Sequence, residues 1–136
     1  MKKDNLIVYV SSRNNYDMLS GEVLKNLNTE GFEFINVDDK SCESELNIGK
    51  SICKENNIIF LENKSRGVQF ATQTLIDFIN TNRPNCKWIF CFQHDCYPLT
   101  PDFFTRISKL IDNGLPDNFG TLGFNRIDHG KHTPGA

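Results

Sequence analysis

Trp88–Asp95 reads WIFCFQHD, an apolar run that ends abruptly on a polar loop carrying an acid. The loop CYPLT follows, and Pro101 then opens the segment PDFFTRISKLID. A strand that delivers a carboxylate at its C-terminal end, followed by a helix start, is how open α/β sheets present ligand-binding groups. A second such run, FEFINVDD, closes on Asp38 and Asp39. Two strands ending in carboxylates at one sheet edge point to a site for a metal ion and a polar ligand. The accompanying expectation is that the second and fourth strands lie side by side, with Asp39 and Asp95 facing one cleft.

Working outward, Leu6–Ser11 (LIVYVS) is a continuous apolar run, the pattern of a strand covered on both faces. Tyr16, Leu19, Val23 and Leu27 recur at helical spacing and predict a helix over 16–28, which Gly31 breaks. The second strand runs from Phe32 to Val37. A helix interrupted by Gly49 is expected over 43–56, a third strand over 58–61, and a helix from Val68 to about Thr81. Strand four is 88–92. Thr100 as N-cap, Pro101 at the first helical position and Asp102 in the first turn start the next helix. Its expected buried face is Phe103, Ile107, Leu110 and Ile111, Asn113-Gly114 ends it, and Gly120–Phe124 is a short fifth strand. Strands alternating with helices predict an α/β fold: a mainly parallel open sheet with helices on both faces. The expected domain is 1–127, truncated after the fifth strand, with a flexible polar tail over 128–136.

The chain has 136 residues, room for one core and not two. With 38% hydrophobic and 24% charged residues it has the balance of a soluble globular protein. The net charge of −2 and the lack of any basic block argue against nucleic acid as a partner. The first apolar run is too short for a signal peptide or a membrane span, so a cytoplasmic location is expected. Association with a membrane surface or a partner chain stays open. Five cysteines, odd in number, scattered and without a Cys-x-x-Cys pair, argue against a zinc cage or a disulfide framework. Cys91, inside the fourth strand, is expected to be a buried small hydrophobe.

Each candidate group has a functional and a plain structural reading. Asp38 and Asp39, followed by Lys40-Ser41, suit hydrogen bonds to a ligand, or ordinary turn and capping chemistry. Asp95, flanked by Gln93 and His94, is a hard oxygen ligand suited to Mg²⁺ or Mn²⁺ on a diphosphate, or a loop acid. Arg66 and Gly67 open a helix whose backbone N–H groups suit phosphate oxygens, or are simply solvated. A nucleophile pair of Cys91 or Cys96 with His94 finds no support beyond proximity in sequence. His129 and His132 lie in the polar tail, and their i, i+3 spacing is read as incidental.

Four segments together resemble the nucleotide-binding half of a family 2-type glycosyltransferase with the GT-A, Rossmann-like fold. Val10–Asn14 is similar to the family's first-strand turn V-P-x-Y-N, with Ser11 for proline and Arg13 for tyrosine. Val37–Glu43 resembles V-D-D-G-S-T-D, with Lys40 in the glycine position. Gly67–Gln73 resembles G-x-x-x-A-x-N, and Gln93-His94-Asp95 with Pro101-Asp102 resembles the D-x-D motif and its helix start. The resemblance covers about residues 5 to 125. It implies a nucleotide-sugar donor bound by Ser11, Arg13, Asp38, Asp39, Arg66, Gly67, Gln93 and His94. It implies Asp95 on a Mg²⁺ or Mn²⁺ ion and transfer to a glycan or other hydroxyl acceptor. Gln93 stands where the family often has its first acid. The metal would act as a Lewis acid on the departing diphosphate. The family's catalytic base lies beyond the fifth strand, so no catalytic residue is assigned. The alternatives are a non-catalytic sugar-nucleotide-binding remnant, or another doubly wound α/β regulatory domain.

Overall fold

Four parallel strands carry the molecule in the computed structural model, in the order β3-β2-β1-β4. They are β1 (Leu6–Ser12), β2 (Glu33–Asp38), β3 (Ile59–Glu62) and β4 (Trp88–Phe92). The structure describes residues 1–136 except 117–119, 122, 124–125, 129–130 and 134–136. β1 is central, paired with β2 through Ser12↔Asp38 and with β4 through Val10↔Phe92. The expected adjacency of the second and fourth strands is therefore corrected. The most apolar strand, with all of Leu6–Val10 buried, takes the middle of the sheet, and β2 and β4 flank it.

The pleat sends alternate residues of β1 into two cores. Leu6, Val8 and Val10 pack with Phe34, Phe92, Tyr16, Leu19, Val23, Cys53 and Phe104. Ile7 and Tyr9 pack with Ile35, Val37, Ala71, Leu75 and Ile79 on the other face. The expected helix over 16–28 is α-helical at α1 (Tyr16–Met18) and α2 (Leu24–Asn26), with a π-helical turn at Leu19–Val23 between them. This stretch, α3 (Glu43–Glu55) and α5 (Phe103–Gly114) cover one face. α4 (Val68–Asn82) covers the other, so the α/β class with helices on both faces holds.

Several details differ from expectation. α5 starts at Phe103 with Asp102 at the N-cap position, while Pro101 and Asp102 form a turn before it. Its buried residues are Phe104 and Ile107, and Leu110 is exposed. Glu30, far away in the sequence, holds its first turn, its carboxylate accepting the Phe104 N–H at 2.6 Å and the Thr105 N–H at 3.2 Å. Cys91 is exposed, lying on the α4 face in register with Tyr9. In the expected fifth strand, Gly120, Thr121 and Gly123 belong to no strand, and residues 122 and 124 lie outside the described residues. A separate antiparallel pair, β5 (Arg126–Asp128) and β6 (Lys131–Thr133), follows. Among the described residues no helix is long and apolar enough to cross a membrane.

Candidate functional site

Parallel pairing brings the C-terminal ends of all four strands to one edge. Chain order reverses between β1 and β4, and crevices at such a reversal are where open α/β sheets bind ligands. Ser11, Arg13, Asp38, Asp39, Arg66, Gly67, Gln93, His94 and Asp95 all belong to this edge or its loops. Arg13, Arg66, Gln93 and Asp95 are exposed, Ser11 and Gly67 are half-buried, and Asp38, Asp39 and His94 are buried.

Asp38 and Asp39 are occupied by the protein itself. Asp38 accepts the Tyr16 hydroxyl at 2.7 Å, the Ser41 hydroxyl at 2.5 Å and the Ser41 N–H at 3.0 Å. Asp39 Oδ1 accepts the Gly67 N–H at 2.8 Å and the Asn63 side-chain amide at 3.0 Å. The structure thus joins Asp39 and Gly67, two residues singled out separately in sequence. The bond lets Asp39 satisfy a backbone donor where α4 begins. Gly67 has φ +137°, a conformation that favours glycine.

His94 tops a line of buried polar groups, and its direction is determined. A carboxylate only accepts, so Tyr16 Oη gives its proton to Asp38. Tyr16 Oη therefore accepts from Asn36 Nδ2 at 3.1 Å, which turns Asn36 Oδ1 toward Ser12. Ser12 Oγ donates its one proton to Asn36 Oδ1. Ser12 Oγ is then left to accept from His94 Nε2 at 2.8 Å. His94 is the Nε2–H tautomer and serves as donor, so it is no general base for Ser12. Its Nδ1 is buried with no hydrogen-bond partner among the described residues. Burial lowers the His94 pKa, and the nearby Asp95 and Asp17 charges oppose that shift. Burial, reinforced by the bond to Asp38, pushes the Tyr16 phenol up.

The next loop carries a residue that motif reading passed over. Cys42 occupies the N-cap position of α3 and is exposed. Its N–H donates to Asn14 Oδ1 at 2.7 Å, and the Asn14 N–H donates to Ser41 Oγ at 3.0 Å, lacing the β1–α1 loop to the β2–α3 loop. The Ser44 hydroxyl, 3.4 Å from the sulfur, holds the thiol below the ordinary cysteine range. The Glu45 backbone N–H adds to this effect and the Glu45 carboxylate opposes it. Burial pushes Cys53 up to about 12 and also raises Cys86. The available signal was positional, a cysteine immediately before a helix start. Tyr16, Asn36 and Asn63 were missed as well; Asn36, a lone amide inside an apolar strand, was the clearest sign of a buried network.

An α/β domain with a polar carboxyl edge and an exposed thiol at a helix start is the class of protein these observations define. No family model matches the chain. Over 104 residues, 74% of its length, the chain is 30% identical to thioredoxin domain-containing protein 15 of Rattus norvegicus. It is equally similar to the Mus musculus protein of that name, and the match spans 28% of each relative's length.

That likeness corrects the glycosyltransferase resemblance, and with it the expected metal-dependent transfer of a nucleotide-activated sugar to a hydroxyl acceptor. The physical reason the motifs misled is visible in the contacts. The Asp-Asp-x-Ser stretch ties its own turn through Asp38 and Ser41, and the glycine before α4 is bound by Asp39. Among the described residues no group of three or more His, Cys, Asp and Glu side chains could hold a metal ion.

Proposed function

We propose that this chain is a thioredoxin-like module whose chemistry is one-thiol disulfide exchange at Cys42. The observation that carries this reading is the placement of Cys42: exposed at the start of α3, with its thiol shifted toward the thiolate while Cys53 and Cys86 shift the other way. The thiolate is the nucleophile in exchange, and a helix N-terminus favours it. The similarity to thioredoxin domain-containing protein 15 supports the same chemistry.

The step is balanced with an external disulfide. The Cys42 thiolate attacks one sulfur, a Cys42–S–S–R bond forms, the original S–S bond breaks and the other half leaves as a thiolate. A Cys-x-x-Cys site would resolve this mixed disulfide with its second thiol. Here the third position after Cys42 is Glu45, so the reaction stops at the mixed disulfide until an outside thiol arrives.

The test is exposure of the folded protein to glutathione disulfide, with the adduct located by peptide mass spectrometry across a pH series. The expected result is one adduct on Cys42, lost in Cys42→Ser, with a rate profile that moves to higher pH in Ser44→Ala. Adducts on other cysteines at the same rate, or an unshifted Ser44→Ala profile, would remove Cys42 from this role.

A further inference from the structure

The hydrogen bonds from His94 to Asp38 connect two loops that, among the described residues, make no direct hydrogen bond with each other. At one end His94 sits in the tight turn after β4, where the Cys96 N–H donates to the Gln93 carbonyl at 3.0 Å. At the other end Asp38 holds Ser41 by both hydroxyl and backbone; Ser41 Oγ accepts the Asn14 N–H, and Asn14 Oδ1 in turn accepts the Cys42 N–H. Between them run Ser12, Asn36 and Tyr16, and every side chain from His94 to Asp38 is at most 5% exposed. Each member spends its donor on the next and accepts from the one before. Removing one joint therefore leaves a buried donor or acceptor that its neighbour must rotate to satisfy.

We propose that this line is a conformational coupling device. Displacing His94, by opening the Gln93–Cys96 turn, loosens the Asp38–Cys42 turn on the far side of β1. The same line transmits a disturbance of Ser41 back to His94, because coupling between two sites is reciprocal. A ligand or partner that engages either turn would thereby be sensed at the other. The coupling holds whether or not Cys42 performs disulfide exchange, since its thiol serves below only as a chemical reporter.

A double-mutant cycle tests it. His94→Leu, Ser41→Ala and the double variant are unfolded in urea, and the same cycle is repeated in a Tyr16→Phe background, which cuts the line at its middle. The expected coupling in the wild-type background exceeds about twofold in the unfolding constant, beyond what independent sites show. In the Tyr16→Phe background it vanishes. Additivity in the first cycle, or undiminished coupling in the second, overturns the proposal. The second reading is alkylation of Cys42 by iodoacetamide under native conditions, expected to be severalfold faster in His94→Leu. His94→Gln, whose amide can donate as Nε2–H does, should restore the wild-type rate; an unchanged rate in His94→Leu counts against the device. Should His94→Leu fail to fold, Ser12→Ala removes the same joint with a smaller change in volume.

Discussion

Gly49 of α3 lies against the ring of Tyr16 so closely that a Cβ placed on it would stand 2.4 Å from Tyr16 Cζ. The ring cannot yield cheaply, because its hydroxyl is bound to Asp38 and Asn36 and its side chain is fully buried. On an exposed helix Gly→Ala would add about 1 kcal/mol of stability. Here overpacking reverses the sign, and Gly49→Ala is expected to cost about 1–3 kcal/mol. Urea unfolding checks it; a stabilised variant would show that the α3–Tyr16 contact is looser than described.

Asp39 is expected to matter for folding before it matters for anything else. Asp39→Ala strips the acceptor from the Gly67 N–H and the nearer of two acceptors from the buried Asn63 amide, which keeps only the Gly67 carbonyl at 3.3 Å. The expected loss is about 1–3 kcal/mol, the range for leaving buried donors unsatisfied. Asp39→Asn keeps one oxygen in place and should recover part of it. Equal stability of Asp39→Ala and wild type, by urea unfolding, would mean the clasp does not form in solution.

Glu30 performs at a distance what an N-cap residue performs locally. Its carboxylate accepts the Phe104 and Thr105 N–H groups at the positive end of α5. Glu30→Ala is expected to destabilise the protein by about 0.5–2 kcal/mol, the cost of a lost cap. Far-ultraviolet circular dichroism during thermal unfolding reads both the midpoint and the helix content; no change in either would assign the capping to another group.

Most of the fold was legible in the sequence, and the reasons are local. The apolar runs at Leu6, Phe32, Ile58 and Trp88 each became a strand because each is bounded by polar turns; β1 and β2 are largely buried, while β3 and β4, at the sheet edges, are only partly so. Strand order was not legible: FINVDD and WIFCFQHD look alike as isolated runs, and only the docking of both onto β1 separates Asp39 from Asp95. Gly49 read as an interruption, because the ring that requires it lies 33 positions away in the chain. The acids at the strand ends were visible, but their occupants, Tyr16, Asn63 and the Gly67 N–H, come from other elements. Turn chemistry and ligand chemistry use the same residue types, which is why the motif resemblance pointed to the wrong activity.

His94 should make stability fall in mildly acidic solution. Its Nε2–H is already committed to Ser12, so a second proton must go to Nδ1, which is buried without an acceptor among the described residues. The folded pKa accordingly lies below the ordinary 6.5, burial outweighing the attraction of Asp95 and Asp17. Above about pH 6.5 both folded and unfolded forms carry a neutral ring, and His94 adds no pH dependence. As pH falls below that value the unfolded chain takes up a proton that the folded chain refuses, so unfolding becomes easier until the lowered folded pKa is reached. Urea unfolding midpoints measured at intervals through this window should decline in the wild type. In His94→Gln, which retains the donor and has no ionisation, that part of the decline should be absent. A wild-type profile that is flat there, or an equally steep one in the variant, would show that the ring is hydrated in solution.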